Sequence, residues 1–203
     1  ALLKKEFDGY RRQGKIHPIM QAYNLKTLPF VHHLLDEWRE NFKGVTYHHQ
    51  PTNLVIFGAV DDIWVDETGE LIVVDYKATC SEGKVTLDGV YRQAYKRQME
   101  IYQWLLRKQS LKVANTGYFL YCNGDKSKAV FEGKLEFATE LIAYEGNDSW
   151  VEGAVIAAHK CLMGDQMPNP SEGCEYCPSR REARLLEDGP LKTVKVEIQG
   201  ELF

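Results

Sequence analysis

The sequence predicts an α/β domain built on a central mixed β-sheet flanked by helices. Three observations predict it. Residues 71–77, LIVVDYK, are a short apolar run rich in β-branched residues and bounded by turn signals, as a strand covered on both faces requires. A long amphipathic stretch follows at about 88–109, DGVYRQAYKRQMEIYQWLLRKQ. Taken along the chain, the elements read α, β, β, α, β, β, α, which suits helices layered on a sheet.

The elements follow in order. Residues 1–13 read as a helix, with Leu2, Leu3, Phe7 and Tyr10 on one face and Lys4, Lys5, Arg11 and Arg12 largely off it. The chain starts inside that helix with neither Met nor a capping residue. The polypeptide is therefore expected to extend upstream of Ala1, unless it is trimmed or processed. Residues 14–29 contain Gly14, Pro18 and Pro29 and read as connection. Residues 30–43 read as a second helix, with Leu34, Leu35, Trp38 and Phe42 inward. Residues 53–65, NLVIFGAVDDIWV, read as one strand, and DETGE as a turn. Beyond the long helix comes a strand at 113–122. A turn at Asn123-Gly124-Asp125 and a strand at about 128–137 then predict a hairpin. A helix is predicted at about 148–163. From Met167 the chain is punctuated by Pro, Gly and Cys, and 193–199 reads as a strand. A single domain over 1–203 is expected, with 167–203 as a cysteine-containing appendage.

Composition narrows the function classes. The 203 residues are 44% hydrophobic and 27% charged, ordinary for a globular chain and wrong for a disordered tail, a collagen or a coiled coil. Lys and Arg number 25 against 29 Asp and Glu, a formal net charge of −4. No global basic field points to nucleic acid, although a local groove can still be basic. No apolar run reaches the roughly 20 residues of a membrane helix. The opening Ala1-Leu2-Leu3-Lys4-Lys5 does not read as a secretory signal. Five cysteines, an odd and low count, predict reduced thiols and a cytoplasmic setting.

The strand pair around DETGE carries the chemistry. If DETGE is the whole loop, Val65 faces Leu71, and counting back sets Asp61 opposite Asp75. Opposed residues share a face, with Cβ atoms about 5 Å apart. Lys77, two residues past Asp75, shares it too, whereas Tyr76 points away. A slip of one residue would put Asp62 in place of Asp61. Two opposed carboxylates on an apolar strand pair repel, and a divalent cation would relieve them. Hard oxygen donors suit magnesium or manganese. Lys77 could then orient or help deprotonate a water. The same spacing also suits a structural role, with Asp61 and Asp62 ending a strand and Lys77 pairing with Asp75.

Three segments together resemble a known pattern. They are Gly58-Ala59-Val60-Asp61-Asp62-Ile63, Val73-Val74-Asp75-Tyr76-Lys77, and Gln98 with Tyr102 four residues on. They are similar to the G-x-x-D, D/E-x-K and Q-x-x-x-Y motifs of the PD-(D/E)XK nuclease superfamily, more closely its RecB-like branch, which includes exonucleases of CRISPR adaptation. The resemblance covers about residues 53–109. It implies a restriction-endonuclease-like core and a Mg²⁺ or Mn²⁺ ion held by Asp61, Asp75 and the backbone carbonyl of Tyr76. It further implies that Lys77 acts on the attacking water, and that Gln98 and Tyr102 support the site or contact the nucleic-acid backbone. Asp75 stands where many relatives have Glu. The stripe Tyr91, Tyr95, Gln98, Tyr102 is polar-tipped and lies on one helical face, which also suits plain packing with hydroxyls at the rim.

Many RecB-like members add a histidine ligand from a helix ahead of G-x-x-D. Here His17, His32, His33, His48 and His49 all precede Asp61, none in a matching context. His32 and His33, on a predicted helix, are preferred, with a residue upstream of Ala1 as the alternative. Cys174-Glu175-Tyr176-Cys177 is half a metal site. Some RecB-like nucleases hold an iron–sulfur cluster between N- and C-terminal cysteines. Here Pro178-Ser179-Arg180-Arg181 follows without the next cysteine, and none occurs in the first 79 residues. A zinc or iron–sulfur cluster is thus expected only if upstream cysteines exist. Cys161 reads as a buried small hydrophobe, and Cys80 and Cys122 as structural.

The expected activity is that of a metal-dependent deoxyribonuclease, an exonuclease on single-stranded ends. Its partner is DNA, single-stranded or with duplex ends, and no membrane. Lys84, Arg92, Lys96 and Arg97 are candidate phosphate contacts or simply solvated charges. Two other readings stay open: a catalytically inactive nucleic-acid-binding or assembly module of the same fold, and an unrelated α/β interaction domain whose C-x-x-C is a zinc knuckle. Repair, defence, CRISPR adaptation and phage replication all accommodate the first.

Overall fold

A computed structural model describes residues 2–89, 92–127, 130, 132–166, 168–169, 171, 173–174 and 176–187. The chain divides into two compact units, residues 1–159 and 160–203. The strand predicted at 193–199 lies outside the described residues.

The first unit opens with α1 (Leu2–Gln13), which buries Phe7 and, unexpectedly, Arg11, while Leu2 is exposed. α2 (Pro18–Ala22) is a single turn started by proline and capped by His17, which accepts the Ile19 N–H at 3.2 Å. β1 (Thr27–Pro29), α3 (Leu35–Trp38), β2 (Val45–His49) and β3 (Leu54–Gly58) follow. Next come β4 (Asp62–Asp66), β5 (Leu71–Thr79) and the long α4 (Arg92–Lys108). β6 (Thr116–Gly124), β7 (Phe137–Glu145), a 3-10 turn (Asp148–Trp150) and α5 (Val151–Leu162) complete the series.

Among the described residues, one sheet has five strands in the order β1-β4-β5-β6-β7, and β2 and β3 form a separate pair. β5 and β6 run parallel, joined through α4, and the other neighbours are antiparallel. The α/β architecture with a mixed, helix-flanked sheet is thus the one the sequence predicts. Alternation along β5 explains its apolar run. Val73 meets Ile63, Met99 and Phe119 in a core under α4, while Ile72 and Val74 meet Phe7, Met20 and Trp64 in a core under α1 and α2.

Several elements differ from the prediction. The helix expected over 30–43 is only the one turn of α3. The Phe30 N–H instead donates to the Ile63 carbonyl at 2.9 Å, and the Gly44 N–H turns back to Glu37 at 3.2 Å. Phe42, expected inward, is 92% exposed. The connection over 14–29 contains α2 and β1, and β2 was not foreseen. The single strand expected over 53–65 is two strands in two sheets, broken at residues 59–61. No tight hairpin forms at Asn123-Gly124-Asp125. β6 runs on to Gly124, which pairs with Phe137 across a long loop. That register sets Phe119 against Ile142 and Leu120 against Leu141. A turn at 123–125 would have opposed Leu120 with Lys128, an apolar side chain against a charge.

In the second unit, α6 (Tyr176–Glu187) occupies a stretch read as irregular. Its Pro178 falls in the first turn, where proline is tolerated. No helix among the described residues is long and apolar enough to cross a membrane.

Candidate active site

The strand register decides between the two adjacent aspartates. Val65 pairs with Leu71 and Asp62 with Val74, as counted from the loop. One step further along, Asp61 comes opposite Asp75, on the α4 face. Asp62 falls on the α1 face and is fully buried. There it accepts Arg11 Nη2, the Tyr76 hydroxyl at 2.7 Å and the Ile63 N–H at 2.9 Å. Arg11 also bonds Asp8, which holds Arg39 at 2.8 Å. Burial pushes the Asp62 carboxyl up, while Arg11 and the Tyr76 hydroxyl pull it back. Asp62 anchors α1 to the sheet.

Asp61 sits just past the end of the ladder. Its Oδ1 is 2.8 Å from Lys4 Nζ on α1, and its Oδ2 accepts the Tyr76 N–H at 2.9 Å. A residue's N–H and C=O point to the same edge of an extended strand. The Tyr76 carbonyl therefore lies on the same free edge, beside Asp61.

Asp75 is 2% exposed. Its buried Oδ2 lies 2.5 Å from Lys77 Nζ yet makes no hydrogen bond of regular geometry. Burial lifts this carboxyl to about 6, Lys77 pulls it down, and the neighbouring Asp61 carboxylate pushes it up again. Lys77 Nζ also donates to Gln98 Oε1 at 3.1 Å and stands 4.2 Å over the Tyr95 ring. Gln98 Nε2 donates in turn to the Tyr102 hydroxyl at 2.8 Å. Burial, with Asp75 and Asp61 adding to it, lifts Tyr102 to about 12, so it stays protonated at neutral pH.

Glycine at 58 lets this arrangement close. A Cβ there would lie 2.7 Å from Tyr102 Cε1. The break after Gly58 frees Asp61 from β4, while the Val60 N–H is taken by the Trp38 carbonyl at 3.0 Å. A groove of about 580 Å³ opens here between Gly58 and the α4 residues Tyr95, Arg97, Gln98 and Tyr102.

The structure thus gathers Asp61, Asp75, Tyr76, Lys77, Gln98 and Tyr102 at one place. Tyr91, the first residue of the predicted stripe, lies outside the described residues. Two residues here escaped the sequence reading. Lys4, which the helical pattern places largely off the apolar face of α1, reaches Asp61. Tyr121 pairs with Lys77 in the β5–β6 register, and its hydroxyl accepts Arg92 Nη1 at 3.0 Å. Its only signal is the alternation of β6, which puts it on the Lys77 face.

The histidine candidates are engaged elsewhere. His32 accepts the Leu34 N–H at 3.2 Å and stacks on Trp38, and His33 lies against His32. His17 contacts Glu6 at 3.0 Å and His48 contacts Asn53 at 2.8 Å. His49 bridges Glu152 at 2.6 Å and Thr52 at 2.7 Å. In the second unit, Cys174 and Cys177 are free thiols joined by a hydrogen bond. That contact, with the backbone N–H groups of Tyr176 and Cys177, lowers the Cys174 thiol, and the same contact raises Cys177. Cys161 is exposed rather than buried, because it lies off the packed face of α5.

Among the described residues, no three His, Cys, Asp or Glu side chains form a metal-binding group. The donors that do converge are hard oxygens: two carboxylates, one of them with a buried oxygen lacking a regular hydrogen bond, and a main-chain carbonyl on a free edge. That set fits a small divalent cation that keeps several waters.

The family model of the PD-(D/E)XK nuclease superfamily matches residues 1–181. The mixed sheet flanked by helices is consistent with the restriction-endonuclease-like core of that superfamily. No curated protein and no solved structure matches the chain.

Proposed function

We propose, from the premise that this chain belongs to the PD-(D/E)XK nuclease superfamily, that it is a metal-dependent deoxyribonuclease of the RecB-like type that works as an exonuclease on single-stranded ends. The observation that carries this reading is the convergence of Asp61, Asp75 and Lys77 on the α4 face, with Asp75 lifted to about 6 by burial and its neighbour.

Asp61, Asp75 and the Tyr76 carbonyl would hold Mg²⁺ or Mn²⁺. Such an ion, when bound, polarises the scissile phosphate and acidifies a water. The chain does the rest. Lys77 Nζ, held between Asp75 and Gln98, orients the attacking water by donating to it. Gln98 keeps that ammonium in place, and Tyr102 keeps Gln98 in place. Attack in line at phosphorus then breaks one ester P–O bond. Arg92, Arg97, Lys96 and Lys84 hold neighbouring phosphates. The cysteines are all free thiols, which fits a cytoplasmic site of action.

A binding module without catalysis is the competing reading. It draws on the Lys4 ammonium, which already neutralises Asp61. One experiment separates the two. End-labelled single- and double-stranded DNA is incubated with the protein in EDTA, Mg²⁺ or Mn²⁺, beside Asp75→Ala and Lys77→Ala. Cleavage that needs the metal and falls about 10²–10⁴-fold in both variants is expected. DNA binding without cleavage by the intact protein would sink the nuclease reading.

A further inference from the structure

Beyond the groove at Gln98 and Tyr102, a second groove of about 410 Å³ runs along the other side of α4. Its walls hold Gln93, Lys96 and Arg97 from α4, Tyr144 from β7 and Trp150 from the 3-10 turn. Positions 93, 96, 97 and 100 share one helical face. Arg97 borders both grooves, so the two meet across a single side chain.

The aromatic wall is held in place from below. Glu100, at the floor, is buried yet has no Lys or Arg within ion-pair distance among the described residues. Its Oε2 accepts Trp150 Nε1 at 2.6 Å. Its Oε1 accepts the Tyr144 hydroxyl at 2.6 Å and the Asn147 N–H at 3.1 Å. A carboxylate used this way fixes two rings by their polar atoms: Tyr144 packs on Phe119 and the core, and Trp150 is the ring left exposed. Trp150 stays 37% exposed, whereas Trp38, Trp64 and Trp104 are 5% or less. Lys96 Nζ stands 5.8 Å from the Tyr144 ring centroid. Neither Lys96 nor Arg97 has a carboxylate partner among the described residues. An immobilised aromatic face beside two cations free of carboxylates matches how single-stranded nucleic acid is held: bases stack, and phosphates meet positive charge. A duplex keeps its base faces stacked on each other, and only its two terminal pairs present one.

We infer that this groove is a single-strand subsite, in which a base stacks on Trp150 while Lys96 and Arg97 hold the flanking phosphates, with Arg97 leading the strand across to Lys77 and Asp75. The inference rests on the nuclease reading and names the place where its single-stranded substrate is held. Glu100 is a positioning residue, acting through the two rings.

The test needs no catalysis. The intact protein in EDTA is titrated with an oligothymidylate of about twelve nucleotides, within single-strand site sizes, while tryptophan fluorescence is followed. Quenching is expected, because Trp150 is the accessible tryptophan. Trp150→Leu should abolish the quenching. It should also weaken binding of the labelled oligonucleotide, read by anisotropy, about 5- to 150-fold, the range of one base–aromatic stack. Lys96→Ala, a surface change that leaves the fold alone, should lower the slope of log K against log salt by about 0.7. A covalently closed circular duplex, which has no terminal base faces, should not quench. Three results would overturn the inference: metal-dependent cleavage without quenching, Trp150→Leu binding as tightly as the intact protein, or equal quenching by the duplex. Quenching by a protein that cleaves nothing would keep the subsite and remove the nuclease reading.

Discussion

Asp75 governs how the site answers to pH. An unfolded aspartate titrates near 3.8 and the folded one at about 6. Between those values the native protein binds more protons than the unfolded chain. The metal-free protein therefore loses stability as pH rises through that window, by on the order of 3 kcal/mol at pH 7. Asp75→Asn should remove this slope, read by urea unfolding from pH 4 to 7. The same shift predicts that divalent-cation affinity climbs with pH and levels off above about 6, measured by calorimetry. Gly58 makes a second prediction. Gly58→Ala drives a Cβ into the Tyr102 ring, which should cost about 1–3 kcal/mol and displace Gln98 from Lys77. A lower melting temperature together with reduced cleavage is expected, and an unchanged kcat would show that Tyr102 does not support Lys77 through Gln98. At this scale the sequence was legible where the backbone pattern is simple. Strand alternation and a short loop were enough to bring one of Asp61 and Asp62 opposite Asp75 and to put Lys77 beside it. Lys4 was not legible, because a helical wheel records polarity and not what stands opposite the helix.

Among the elements, α1 is tied to the sheet by a buried charge. Asp62→Ala would leave Arg11 with Asp8 as its remaining carboxylate and the Tyr76 hydroxyl without its acceptor, a change expected to cost about 1–3 kcal/mol. The double variant Arg11→Met with Asp62→Leu removes both charges and should recover much of that loss, as a thermal melt would show. If the single change is neutral, the pair does not hold α1. The elements that were missed are short. α2, β1, α3 and β2 have three to five residues each, too few for a period to show. The false hairpin has a different cause. Asn123-Gly124 is a strong local turn signal, but pairing Leu120 and Phe119 with Leu141 and Ile142 buries apolar surface that the local turn would waste.

At the scale of the whole molecule, both apolar cores lie within residues 1–159. A chain ending after Gly164 should accordingly melt cooperatively within a few degrees of the full chain, followed by circular dichroism. A loss of cooperativity would show that the second unit contributes to that core. The sequence by itself determined the α/β class, the mixed sheet and the order of the three motifs along the chain. These follow from side-chain period and from chemistry confined to a few neighbouring residues. Only the tertiary structure decided that Asp61 rather than Asp62 faces α4, that residues 53–65 split between two sheets, that Lys4 reaches Asp61, and that Glu100 pins Trp150 and Tyr144. Each of these depends on contacts between residues far apart in the chain, set by which faces find an apolar partner, and no local pattern encodes that.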